Sequence, residues 1–351
     1  MSVTINIPDT LRKQVESASS GQNTVLYTQK GNPSYFFIQP QRTLESFNGL
    51  NLGTGVHPAF IVDGVTKSEI FIGLYPGVEK DNEILSLPHK DPVNSISFTN
   101  ANTRVRACGP GFHAMTNAEW NLLQCLAIEK KLYPRGNTQH GRSNVDTNEL
   151  GRRADNLVVT GSAQGTHGRT LTGSGPMSWR HNNTPFGISD ITGNVWEWTY
   201  GLRIVAGEIQ IIPDNNAASA SADFSSSSAQ WRAINGATGE LVFPGTANTV
   251  KFAAATGEPY SISTATRFEL IASNGTQSLN ATALRRLRLA SVFSIIGIGD
   301  DRLYVSLSGE RMPCRGGTWD IGSDAGLFSI NLNFLSGNTN INRSVRPGYV
   351  A

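Results

Sequence analysis

A chain of 351 residues, 38% of them hydrophobic, can bury a large core in one elaborated domain or in two. Its formal net charge of +2 and its 16% of charged residues supply no global attraction to nucleic acid or to an anionic membrane. Thirty-six glycines suit a loop-rich, β-containing protein, and three cysteines, Cys108, Cys125 and Cys314, are too few for a disulfide framework.

No apolar leader follows Met1, so no signal peptide is visible, and no apolar run reaches membrane-spanning length. Val3, Ile5 and Ile7 alternate as a weak strand, residues 11–18 read as a short helix, and Ser19 to Asn23 form a turn. Apolar pieces follow at 35–38 and 59–62, and residues 69–75 make a better strand, closed by Pro76-Gly77. Residues 80–110 read as irregular, with a short strand at 95–98. The clearest helix begins after Thr116, because Thr116 and Glu119 have the spacing of a capping box and Met115 stands where a hydrophobic staple would. Trp120, Leu123 and Ala127 recur at helical spacing, widened by Leu122 and Leu126, and Pro134 forbids continuation.

Residues 135–183 carry many glycines and arginines and read as a long ordered loop. His140, His167 and His181 lie in it at spacings that match no zinc pattern and read as surface or loop-bracing residues. In the segment Val195-Trp196-Glu197-Trp198 the two tryptophans share one strand face. A buried Glu197 requires a partner, either backbone N–H groups or an arginine, for which Arg315 and Arg180 are candidates. Residues 205–300 read as an elaboration. Its low-complexity 217–229 stretch is an exposed loop, strands are expected at 241–243, 250–252 and 267–271, a helix at 282–289, and a buried apolar element at 290–298. Residues 303–305 form a strand that leads into the last segment.

That last segment, 311–351, sets Trp319, Leu327, Phe328, Ile330, Leu332, Phe334 and Leu335 among glycines and short polar side chains. Ile330 and Leu332 alternate with Asn331 and Asn333, which reads as a strand with one packed and one wet face. The expectation is a structured segment whose polar side displays a binding surface.

Three pieces in order, the stretch from Gly111 to Trp120, the Gly193-Asn194-Val195-Trp196-Glu197-Trp198 core and Arg315-Gly316-Gly317-Thr318-Trp319, resemble the formylglycine-generating (sulfatase-modifying factor) superfamily. The resemblance spans about 55–200 and 300–351. It implies an α+β chain with the C-type-lectin-like fold of the formylglycine-generating-enzyme type, carrying a β-rich insertion. Residues 1–54 would then be an N-terminal segment for attachment or oligomerisation, and 55–351 the lectin-like domain with its elaboration at about 205–300.

The closer resemblance is to the variable proteins of diversity-generating retroelements, which include phage receptor-binding tail proteins. Gly316, Gly317, Trp319, Gly322, Ala325, Gly326, Phe328, Leu332 and Arg346 match the retained frame of that pattern. The resemblance implies a variable, ligand-binding set made of Thr318, Asp320, Ile321, Ser323, Asp324, Ser329, Asn331, Asn333, Phe334, Asn338, Asn340 and Asn342. Ser344-Val345-Arg346-Pro347 departs from it in lacking asparagine. The partner implied is a protein or glycan on a target cell surface, met by a virion tail or a cell-surface adhesin, with a homotrimer compatible with such a role. No cofactor is required, and a structural calcium is admitted without assignable ligands. An enzymatic reading is weaker. No cysteine follows Cys314, so the superfamily oxidase's late cysteine pair is absent, and no metal-protease or phosphate-loop motif occurs. A formylglycine-generating-like oxidoreductase and a non-binding structural virion protein are the alternatives.

Overall fold

The helix Asn117–Lys130 forms where the capping box places it. Thr116 Oγ1 accepts from the Glu119 amide at 3.1 Å, and the Glu119 carboxylate accepts from the Thr116 amide at 2.9 Å. The computed structural model describes residues 9–252, 260–263, 271–273, 279–292 and 301–351 of the chain around it. Burial runs round the whole helix rather than along a stripe, because its polar residues also have partners. Asn121 donates to Arg288 O at 2.7 Å and Gln124 to Leu327 O at 3.1 Å. Replacing Thr116 by alanine removes the cap and its 2.6 Å bond to Asn215 Oδ1. The expected loss is about 1–2 kcal/mol in urea unfolding.

The fold is mixed α+β with a large multi-stranded sheet region. A five-stranded antiparallel sheet runs Asn23–Tyr27, Pro33–Pro40, Glu69–Gly73, Pro347–Tyr349, Phe112–Ala114. The end of the chain is thus paired between strands from its first third. The larger sheet carries the late strands. Ile330–Phe334 lies between Arg302–Val305, which runs parallel to it, and Glu310–Arg315, which runs antiparallel. Trp196–Trp198 pairs with Glu310–Arg315 on one side and with Arg343–Val345 on the other.

Several expectations need correction. A helix, Phe98–Arg106, occupies part of the stretch read as irregular: Ser97 caps it by accepting from the Asn100 amide, and Phe98, Ala101 and Val105 are buried along one side. Ser97 is therefore a cap and not part of a strand. The 217–229 loop is not exposed throughout, since Ala217, Ala218 and Ser219 are buried at its start. Glu197 does pair with an arginine, but the partner is Arg346, whose Nη2 and Nε donate to it at 2.6 and 2.9 Å. Arg315 donates instead to Asn117 Oδ1, and Arg180 to Ser189 Oγ and backbone carbonyls. The expected strand through Val3 and Ile7, most of that at 267–271, and residues 293–298 of the 290–298 element lie outside the described residues.

Candidate binding surface

Residues directly opposite one another in a ladder point to the same side of a sheet. One side of the larger sheet therefore carries Tyr304, Asn331, Cys314, Trp198 and Val345 in one row, with Trp196 and Arg343 paired in the next. The other side carries Leu303, Ile330, Arg315, Glu197 and Ser344, and faces the interior. The first side is aromatic. Tyr304 meets Trp196 edge-on at 6.0 Å, and Phe334 meets Trp198 edge-on at 6.1 Å. Ile321, Tyr304 and Phe334, all partly exposed, pack on the buried cluster that contains both tryptophans. The 320–324 and 333–342 segments thus share one apolar foundation.

The connection between Glu310–Arg315 and Ile330–Phe334 is clamped before and after its exposed part. Gly317 has φ +92°, and a Cβ there would lie 2.4 Å from the Ala325 Cβ, so glycine is required. Trp319 is buried, its carbonyl accepts from the His140 amide at 2.7 Å, and the Arg169 guanidinium lies 5.8 Å from its ring centre. Beyond the exposed part, Leu327 O accepts from Trp120 Nε1 at 2.8 Å, and the Phe328 amide donates to Asp301 at 2.7 Å. Between these clamps Asp320 and Ser323 are exposed and Ile321 and Asp324 half-buried. Asp324 accepts from Arg302 at 2.9 Å and from the Tyr304 hydroxyl at 3.1 Å. Burial, together with this carboxylate, pushes the Tyr304 phenol well above its ordinary range.

The 335–342 connection is fastened chiefly through main-chain carbonyls. Ser336 O accepts from the Phe98 amide, Asn340 O from Ser95 and Arg343 amides, and Asn342 O from the Trp196 amide, at 2.8–3.1 Å. Ile341 O accepts from Arg169 Nη1 at 3.0 Å, so Arg169 links this connection to Trp319. Asn340 is exposed, and Asn338, Asn342, Asn333 and Phe334 are partly exposed. The Asn338 side chain accepts from the Leu335 amide at 2.8 Å.

Three of the twelve residues expected on the surface are not exposed. Thr318, Ser329 and Asn331 are buried. Ser329 Oγ donates to Asp324 O and accepts from the Arg302 amide at 3.1 Å, which makes it a brace. Asn331 is not on a wet face: its strand has neighbours on both sides, and its Oδ1 accepts from the Asn333 amide at 3.0 Å.

The structure also adds residues that the pattern did not mark. Arg302, Tyr304 and Arg343 contribute to the face, and only Tyr304 had a signal, through its alternation with Leu303 and Val305. Beside Ser323 a cleft of about 460 Å³ is lined by Tyr133, Asn144, Val145, Gly326 and Phe328. Tyr133 and Val145 reach it from separate loops and are 39% and 72% exposed.

His167 and His181 accept backbone amides through Nδ1 and so brace their loop. Among the described residues no three His, Cys, Asp or Glu side chains are placed to hold a metal, and no helix is long and apolar enough to cross a membrane. The cysteines are buried and free. Burial pushes the Cys108 thiol up to about 12, and raises those of Cys125 and Cys314 further.

No family model matches the chain, and no curated protein is similar to it at a significant level. Among solved structures, one described as "Major Tropism Determinant U1 Variant" aligns over 93% of this chain and 72% of its own, with 11% identity and a TM-score of 0.30. A likeness this distant assigns neither a family nor an activity.

Proposed function

We propose that this chain is a receptor- or surface-binding protein that presents exchangeable side chains on a fixed backbone. The observation that carries this reading is the way the two exposed segments are held. Buried Trp319, Phe328 and Leu332 and a set of main-chain carbonyl bonds fix the path, while the side chains of Asp320, Ser323 and Asn340 take little part in holding it and that of half-buried Ile321 adds one apolar contact. Replacing such side chains changes what the surface recognises at small cost to the fold. Short polar groups around a few apolar contacts suit adaptable recognition.

The finer identity we propose is a variable protein of a diversity-generating retroelement, with the C-type-lectin-like fold of the formylglycine-generating type, acting on a virion tail or a cell surface. Residues 1–54 are proposed to take part in attachment or oligomerisation, and a homotrimer would multiply weak contacts through avidity. We propose no catalytic role of the cysteine-oxidase type, because all three thiols are buried and burial raises them, which disfavours the thiolate such an enzyme needs.

The test is target-cell binding by flow cytometry alongside thermal melting. A variant carrying Asp320→Ala, Ile321→Ala, Ser323→Ala and Asn340→Ala is expected to lose or redirect binding with a melting shift below about 3 °C. Unchanged binding, or a collapse of folding, would overturn the reading.

A further inference from the structure

Arg343 is only 7% exposed, yet it fastens the fold through its main chain and not through hydrogen bonds of its guanidinium. Its guanidinium carbon lies 3.5 Å from the Phe334 ring centre and 6.0 Å from that of Trp198. Its Nε is sealed from solvent without an acceptor, and no acceptor among the described residues engages the rest of its side chain. Three other buried arginines each have a carboxylate partner. Arg346 donates to Glu197, Gly73 O and Ser189 O, Arg153 to Asp155, and Arg169 to Asp91. A cation largely withdrawn from water, with one nitrogen sealed and no acceptor, is unfavourable, and an aromatic face offsets only part of that.

The surroundings indicate what could complete it. Phe334 and Arg343 flank the 335–342 connection, so their stack closes its base. On that connection Leu335 and Ile341 are 48% and 42% exposed. Asn333 and Asn342, next in the chain to the stacked pair, each bury an amide oxygen that has no donor. An arginine on an aromatic ring, rimmed by exposed aliphatic side chains, has the composition of a protein-binding hot spot.

We infer that the Arg343–Phe334 stack anchors an acidic side chain of a polypeptide partner, with the carboxylate received by the guanidinium and the neighbouring apolar side chains by Leu335 and Ile341. The inference rests on the surface-binding reading above and names the partner's chemistry. A polypeptide suits the site better than an acidic sugar, because Arg343 already covers the Phe334 face on which a sugar ring would stack, whereas Leu335 and Ile341 offer aliphatic contact. Charge-assisted hydrogen bonds to a planar guanidinium supply the selectivity for carboxylate over amide.

The experiment follows arginine Nε–Hε signals of the full-length ¹⁵N-labelled chain during titration with the capped tripeptide acetyl-Leu-Glu-Leu-amide. The glutamine tripeptide and glucuronate serve as comparison probes. One arginine signal is expected to shift saturably with the acidic tripeptide, with binding about tenfold weaker or more for either comparison probe. Arg343→Met should abolish that response while leaving the melting temperature unchanged or raised, since no internal hydrogen bond is lost and a thioether can still pack on the Phe334 ring. Absence of a saturable shift, a shift that persists in Arg343→Met, or a lowered melting temperature in that variant would overturn the anchor. Glucuronate binding as tightly as the peptide would overturn the choice of polypeptide. The two readings fail separately. Target-cell binding that survives Arg343→Met defeats the anchor alone, and cell binding that survives the four alanine changes defeats the exchangeable surface alone.

Discussion

Arg346→Met is expected to destabilise the chain by about 3–5 kcal/mol, read as a fall in the urea midpoint. Arg346 is fully buried, and its four hydrogen bonds join three parts of the fold. Nε and Nη2 hold Glu197 in the Trp196–Trp198 strand, Nη1 donates to Gly73 O in the five-stranded sheet, and Nη2 also reaches Ser189 O. Removing the guanidinium leaves a carboxylate buried without its counter-charge, which costs far more than the pair contributes when intact. Glu197→Gln keeps the shape but strands the cation, and should cost a comparable amount. The double variant Glu197→Met with Arg346→Met removes both charges and should recover part of the loss. Recovery should stay incomplete, because Gly73 and Ser189 carbonyls remain without donors. A single Arg346→Met variant within about 1 kcal/mol of the parent would show that the pair does not hold the two sheets together.

Gly136→Ala is expected to be nearly as damaging, for a steric reason. A Cβ at Gly136 would lie 1.8 Å from Thr192 O, and a Cβ at Gly193, where φ is +69°, would lie 2.1 Å from Asn137 O. Two stretches of main chain touch here with no side chain between them, and the Asn194 amide donates to Asn137 O at 2.6 Å. The obstacle in each case is backbone, which cannot turn aside as a flexible side chain would. Gly136→Ala should cost about 3 kcal/mol or more in urea unfolding, and Gly193→Ala should add left-handed strain to the clash. Loss of less than about 1 kcal/mol in both variants would mean that the long 135–183 loop is free to shift against the tryptophan strand.

How much of this was legible depends on the range over which each feature is decided. The Asn117–Lys130 helix could be read because a cap and its carboxylate answer each other across three residues. The Phe98–Arg106 helix carried a similar local signal in Ser97 and the spacing of Phe98, Ala101 and Val105, obscured by the polar residues between them. The need of Glu197 for a partner, an arginine or backbone N–H groups, was visible from its tryptophan neighbours. Which arginine was not, because the choice depends on the parallel pairing of Arg343–Val345 with Trp196–Trp198, which brings residues 149 apart into contact. The same limit explains Asn331. Alternation marks two faces of a strand but does not say whether both are covered, and Asn331 lies in a row between Tyr304 and Cys314. Ser329 reads as a short polar loop residue until its hydroxyl is seen bridging Asp324 and Arg302. Arg343 gave no signal, since its isolation from acceptors is a property of the assembled surface.

The carbonyl fastening of residues 335–342 has a practical side. Every amino acid carries the same carbonyl, so a combinatorial library built at Asn338, Asn340 and Asn342, together with Asp320 and Ser323, would sample many surfaces on one scaffold, with the side-chain bond from Asn338 to the Leu335 amide given up. Proline is the member to leave out at position 338, whose amide donates to Leu335 O.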